Sequence, residues 1–302
     1  MSEIVFYNRY TQVDEVEKVY GDKWLRWLYE TKLGRGIARL AAIPFVSKAY
    51  GQLQDTSMTR KKVAPFIRDF SIQIEDYEGG SLGGEVENSY ACFNEFFIRP
   101  FKSGKRSFPT SNQEMGAPAE ARYHAWASIS DDQTFPVKGK ELSSSRLLQN
   151  DKWNEVFRGG PLMIARLCPV DYHRYHFPFK GKVVDHFPVR GNLWTVNPIV
   201  FPYRDEVFSE NERYVTILEN EDFGRVAYIE VGATMVGKII QSHNLKDEYD
   251  SGDEKGYFLF GGSTVILLGE AGKWLPSEDI LNNSKNKKET YVHLGDTIAK
   301  AL

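Results

Sequence analysis

Two short stretches concentrate residues able to move protons or attack carbonyls. Arg166 to Pro178 reads RLCPVDYHRYHFP, with His173 and His176 three positions apart and the carboxylate of Asp171 two residues before the first imidazole. Three chemistries fit that density. A metal would need further ligands, and neither an HExxH pair nor a nearby cysteine cluster supplies them. A structural role would have each imidazole hydrogen-bonded inside the fold. General acid and base work suits histidine because its ordinary pKa lies near neutrality. The second stretch, Phe258 to Leu268, reads FLFGGSTVILL, a Gly-Gly-Ser-Thr turn between apolar runs. Such a string also makes an ordinary hairpin turn. It becomes chemical if a base reaches Ser263, because a hydroxyl beside the unhindered carbonyl of Gly262 can attack it.

Two unlike regions must position these residues. Residues 1–75 read as helical. Val13, Val16, Tyr20, Trp24 and Trp27 recur at spacings of three and four, the stripe of an amphipathic helix. Gly36 to Leu53 makes a second helical stretch that Pro44 breaks, and Ser57 to Phe70 a third that carries Arg60, Lys61 and Lys62. Apolar aromatic faces beside Lys32, Arg35, Arg39 and Lys48 suit a protein lying on an anionic bilayer. Packing against the rest of the chain is the alternative use of the same stripes.

From about Asp76 to residue 302 the texture changes to short β-branched and aromatic runs between Gly, Pro, Asn and Asp signals. Leu193 to Phe201, Tyr214 to Leu218, Arg225 to Val231, Lys238 to Ser242, Tyr257 to Phe260 and Thr264 to Leu268 read as strands, and polar Asn282 to Lys288 as a loop. The expected class is α+β, with N-terminal helices followed by a β-rich, mostly antiparallel domain. No Gly-rich phosphate loop leading into a helix and no G-x-S-x-G elbow is present.

Composition narrows the class further. Among 302 residues, 41% are apolar and 26% charged, which excludes disorder as the main state. A formal charge of -3 gives no basic footprint for nucleic acid. Cys92 and Cys168 form no Cys-x-x-Cys pair, so neither a zinc ribbon nor a disulfide framework is encoded. With no long apolar run and no basic leader followed by one, the expectation is a protein without transmembrane helix or signal peptide.

Several stretches also follow one another in a known order. WLYETKLGRG and SKAYG lie in the helical region, and FNEFFIRPFKSGKR at Phe93 to Arg106 matches F-N-x-F-F-x-R-x-L-K-x-G-x-R in all but one place, where Phe101 replaces Leu. RLCPVDYHRYHFPFKGKV, GNLWTVNP, NERYV, VGATMVGKI and EKGYFLFGGSTVILL come after it. Over nearly its whole length the chain resembles the pyruvoyl-dependent, self-processing phosphatidylserine decarboxylases.

The resemblance implies a zymogen that cuts itself between Gly262 and Ser263. Ser263 is then the nucleophile and the future pyruvoyl group, Gly262 gives the carbonyl, His176 is the base, and a carboxylate orients that base. The orienting role falls on Glu120, a departure from the family: residues 117–121 read APAEA where the family has S-P-A-D-G. Ala121 thus replaces a glycine, which signals a different local turn if that glycine has positive φ. His173 is implied as the proton donor after decarboxylation through a Schiff base. Residues 1–262 and 263–302 would form a heterodimer, further dimerised. The implied substrate is phosphatidylserine on the cytoplasmic face of a membrane, to which the enzyme is peripheral.

Two other readings stay open on sequence alone, a pyruvoyl decarboxylase of a free amino acid and a lipid-binding relative that never processes. His124, His186, His243 and His293 match no catalytic position and read as surface or structural. Arg166 and Arg174 fit either clamps for substrate carboxylate or phosphate, or ion pairs. Cys168 reads as buried packing.

Overall fold

The β-branched and aromatic runs pair into sheets. A computed structural model of the chain describes residues 3–129, 143–204, 206–233, 239–244 and 248–302. Its strands are β1 (Val5–Asn8), β2 (Val13–Val16), β3 (Glu114–Gly116), β4 (Ala121–Trp126), β5 (Leu162–Leu167), β6 (Arg174–His176), β7 (Gly181–Val189) and β8 (Arg213–Asn220). Then follow β9 (Gly224–Val231), β10 (Ile239–Gln241), β11 (Glu248–Tyr249), β12 (Glu254–Phe258), β13 (Ser263–Gly269), β14 (Trp274–Pro276), β15 (Glu289–Val292) and β16 (Thr297–Ala301). Ten of them form one sheet in the order β11-β7-β8-β9-β13-β5-β4-β15-β1-β2. Neighbours are antiparallel except β1 with β15. Two three-stranded sheets, β10-β12-β6 and β14-β16-β3, complete the β structure of the described residues.

Strand β13 is central and buried along its whole length. It pairs with β5 on one side, Ser263 opposite Leu167, and with β9 on the other, Thr264 opposite Val231. Its unbroken apolar run is what a strand covered on both faces requires.

The helices of the first hundred residues are α1 (Asp22–Glu30), α2 (Lys32–Ala41), α3 (Pro44–Leu53), α4 (Val63–Phe70) and α5 (Phe93–Phe97). Thr31 caps α2 by accepting from Gly34 N, and Gly34 lets α2 sit directly on the end of α1, where a Cβ would lie 2.5 Å from Trp27 O. Pro44 opens α3, where its missing N–H costs nothing. Leu28 and Tyr29 of α1 join the main core, while Val63, Phe66, Ile67, Phe93, Phe96 and Phe97 of α4 and α5 close over Phe260. The class is α+β, as the sequence reads.

Three local expectations change. Val13 and Val16 lie on the edge strand β2, not on a helix. Gly21, at φ 68°, stops α1 at Asp22, and the residues upstream pair with β1 instead. Leu193 to Phe201 is a loop with one 3₁₀ turn, Pro198–Val200, because Trp194 spends its backbone N–H and C=O on the side chain of Asn211 rather than on a strand. Asn282 to Lys285 belong to the helix Glu278–Lys285, which buries Ile280 and Ser284 and leaves its polar side outward. Lys238 lies outside the described residues; Ile239 to Gln241 form β10.

Candidate active site

The chain leaving β5 turns back so that His173 faces the first residue of β13. His173 Nδ1 is 3.2 Å from Ser263 Oγ, and Nε2 is 3.0 Å from the carbonyl of Cys168. A carbonyl only accepts, so Nε2 carries the proton and Nδ1 offers its lone pair to the serine hydroxyl. Both residues are wholly buried. Burial, helped by the charge of Arg99, holds the imidazole pKa down at about 3. The ring is therefore neutral at physiological pH, the state a base must start from.

The Cys168 carbonyl is itself held in place. Asp171 accepts from Cys168 N at 2.6 Å and from Arg122 Nη1 at 2.6 Å. Arg99, buried and with no carboxylate partner among the described residues, donates to the carbonyls of Val170 and Asp171. Phe97 stacks on the His173 ring with centroids 3.8 Å apart. Bonds at both ring nitrogens and a stacked face leave the imidazole one orientation.

Around this loop lies a buried set of charges. Arg166 is paired with Glu17 at 2.6 Å and Glu289 at 2.5 Å, and its Nη1 is 3.0 Å from Cys168 Sγ. Burial alone would raise the Glu17 carboxyl, but Arg166 and Arg122 outweigh it and hold it at about 2. Arg174 is bound to Glu254 and to the carbonyl of Ile98. Both arginines thus stand as ion pairs in this structure.

The structure does not bring His176 or Glu120 to Ser263. His176 Nδ1 donates to Gly252 O at 2.8 Å, and Nε2 lies 3.2 Å from the Tyr172 hydroxyl. The carboxylate of Glu120 takes both arms of Arg106, at 2.6 and 2.8 Å, the Tyr291 hydroxyl at 3.0 Å and Leu294 N at 3.3 Å. A fork of guanidinium donors matches a carboxylate in this bidentate way. Ala121 opens β4 and is not among the residues with positive φ. Gly262 has room: among the described residues a methyl group there would touch only Val196 at 3.4 Å and Ala233 at 4.0 Å.

Beside the Gly261–Gly262 turn opens a cavity of about 500 Å³. One wall is α1 with Trp24, Leu25, Leu28 and Tyr29; the other is Leu167, Cys168, Val196 and Phe260, with Glu17, Arg166, Thr195 and Asn197 as its polar groups. A mostly apolar cleft with a few polar side chains is the usual form of a small-molecule site.

Against known proteins, a sequence profile of the phosphatidylserine decarboxylase family matches residues 93–300. This chain belongs to that family. The phosphatidylserine decarboxylase proenzyme of Clostridium tetani is 38% identical over 297 residues, 98% of each chain. That of Ruminiclostridium cellulolyticum is 37% identical over 300 residues, 99% of this chain and 98% of its own. That of Clostridium botulinum is 36% identical over 296 residues, 98% of each. The helical region before residue 93 is thus shared with these decarboxylase relatives. Arg99, Phe97 and Arg106, which the sequence reading passed over, all lie in the FNEFFIRPFKSGKR stretch that carries the family likeness.

Proposed function

We propose that this chain is a precursor that cuts its own Gly262–Ser263 bond and then, with a pyruvoyl group made from Ser263, converts phosphatidylserine to phosphatidylethanolamine and carbon dioxide at a membrane surface. The observation that carries the reading is the buried 3.2 Å contact between the Ser263 hydroxyl and the lone pair of neutral His173. Ser263 Oγ bonds to the carbonyl carbon of Gly262, its proton passes to His173 and on to the Ser263 nitrogen, and the peptide C–N bond breaks to leave an ester. Loss of the Ser263 Cα proton expels the Gly262 carboxylate and leaves dehydroalanine. Water then enters and ammonia departs, giving the pyruvoyl end of residues 263–302. An imidazole that resists protonation passes the proton on rather than keeping it.

This reading moves the first proton transfer to His173 from His176, the base that the family resemblance implies. Support for the change is distance: His176 is bonded to Gly252 and Tyr172. We assign His176 and Glu120 to holding the neighbouring chain. His176 N donates to Pro118 O, which runs the APAEA segment along β6, and Glu120 fixes Leu294 and Tyr291.

Once formed, the pyruvoyl group supplies an electron-withdrawing carbonyl as the substrate carboxylate leaves. The chain's own residues do the rest. The cavity beside Gly262 takes the head group, His173 stands where it can return a proton to the product, and burial keeps water from competing. After cleavage the two pieces stay together because β13 is hydrogen-bonded on both sides; further dimerisation is part of the same proposal.

The lipid is favoured over a free amino acid by the exposed side chains of α2 and α3, the latter of which gives Tyr50 to the cavity lining. Leu33, Leu40 and Phe45 are exposed, Phe45 at 82%, as are Lys32 and Arg39. An apolar face rimmed by cations fits an anionic bilayer, each cation contributing about 1 kcal/mol. Among the described residues no helix is long and apolar enough to cross a membrane, so peripheral contact is the mode proposed. Intact mass of the wild-type protein and of Ser263→Ala tests the reading, with carbon dioxide release measured from phosphatidylserine vesicles and from free serine. Two chains and lipid-dependent release are expected only from the wild type; a single uncut chain in both samples overturns it.

A further inference from the structure

An asparagine sits among the phenylalanines that cover Phe260. Asn94, on α5, is 2% exposed and lies beside Phe93. Its Oδ1 accepts from Phe260 N at 2.8 Å, while Nδ2 donates to Asp55 Oδ1 at 2.8 Å and to Gly51 O at 3.3 Å. Only this amide orientation suits an N–H on one side and two acceptors on the other. A buried amide is costly unless all its bonds are made, whereas an apolar side chain of like volume would carry no such cost. What the asparagine adds is direction.

That direction runs from the end of α3 to the scissile turn. Asn94 N also donates to Gln54 O, and Phe93 N to Thr59 Oγ1, so α5 is seated on the chain just after α3. Phe260 precedes Gly261, at φ 149°, and Gly262, two residues whose missing side chains leave the turn few restraints of its own. Ring contacts of Phe260 with Phe93 and Phe97, at 5.0 and 5.1 Å, bury it without fixing its backbone angle. The amide bond to Phe260 N is directional where those contacts are not.

We propose that Asn94 is a positioning residue for self-cleavage, pinning Phe260 to the end of α3 and so setting where the Gly262 carbonyl stands relative to the Ser263 hydroxyl. The inference rests on the self-cleaving reading above and deepens it. A misplacement of about 1 Å can cost about 100-fold in rate.

The test is a reciprocal exchange. Asn94→Asp keeps an acceptor for Phe260 N but turns both donors into an anion facing Asp55. Adding Asp55→Asn lets the new amide donate to the new carboxylate, restoring the link with its direction reversed. Self-cleavage is followed by intact mass during synthesis, and folding by melting the same variants in a Ser263→Ala background. Asn94→Asp is expected to cut at least about 10-fold more slowly, and the double variant to return to within about 3-fold of the wild type. If Asn94→Asp does not fold, the double variant against wild type decides alone. A folded Asn94→Asp that cuts at the wild-type rate overturns the proposal, and so does a folded double variant that stays at least 10-fold slow. A wild type that never cuts refutes the self-cleaving reading instead, so the two failures are distinct.

Discussion

The strip of buried side chains around the 168–172 loop and the outer face of α2 and α3 draw on similar residue types, apolar side chains with cations among them, and use them in opposite ways. In the strip, Arg166, Arg122 and Arg99 are buried and tied to carboxylates, a thiol or carbonyls. Removing charges from water is costly, and the bonds that repay it are directional, so the strip fixes the geometry of a loop and of one imidazole. On α2 and α3, Leu33, Leu40 and Phe45 face outward, and Lys32 and Arg39 of α2 stay in solvent. That arrangement fixes no geometry; on the reading proposed above it supplies affinity for a bilayer surface. Buried charge would then serve orientation, and exposed apolar surface location.

Several substitutions break or sharpen this contrast. His173→Ala removes the only base in contact with Ser263 among the described residues and is expected to slow self-cleavage by about 10²–10⁴-fold, followed by the appearance of the small chain in time-resolved mass spectra. His176→Ala is expected to cost far less; the opposite order would return the base role to His176. Arg166→Met takes from Glu289 its arginine partner and leaves buried Glu17 with Arg122 alone, and is expected to destabilise the Ser263→Ala precursor by about 3–5 kcal/mol in urea unfolding. On the outer face, Leu40→Ser with Phe45→Ser should weaken binding to anionic vesicles roughly 30-fold, on about 2 kcal/mol of lost apolar burial. The same pair should barely move the melting temperature, since both side chains are already exposed.

The smallest effect expected is that of pH on self-cleavage. Burial, then Arg99, holds His173 at about 3, below its ordinary 6.5. The base therefore stays unprotonated between pH 7.5 and 5.5, and the rate over that range should change less than about 2-fold, where an unperturbed imidazole would lose about 10-fold. Stability follows the same sign. Between about 6.5 and 3 the unfolded chain binds a proton that the folded one refuses, so this histidine's contribution is complete above 6.5 and declines as pH falls toward 3. A rate that titrates with a midpoint near 6.5 would contradict a buried, neutral His173.

Much of this was legible in local pattern. The runs Tyr214 to Leu218, Arg225 to Val231 and Thr264 to Leu268 fall within β8, β9 and β13, because β-branched and aromatic residues at that density suit buried strands. Pro44 divides α2 from α3 as its chemistry requires. What local pattern missed depends on distant partners. Val13 and Val16 share a helical spacing with Tyr20 by coincidence, while their strand is fixed through β1 by β15, some 280 residues away. The Leu193 to Phe201 run is apolar enough for a strand, but the side chain of Asn211 takes its backbone groups. The residues Asp171, His173, His176 and Ser263 were visible as types and spacing. Which imidazole meets the serine was not, since that depends on how the 168–172 loop folds over β13 and on Arg99 and Asp171 holding it there.

On the proposed reading Ser263 becomes a carbonyl that captures the amine of a lipid. Purified protein mixed with phosphatidylserine vesicles and reduced with borohydride tests it directly by the mass of the residue 263–302 chain. A small chain that carries the mass of the lipid is expected, absent when Ser263→Ala is treated alike. A small chain that gains nothing, or no small chain at all, would contradict it.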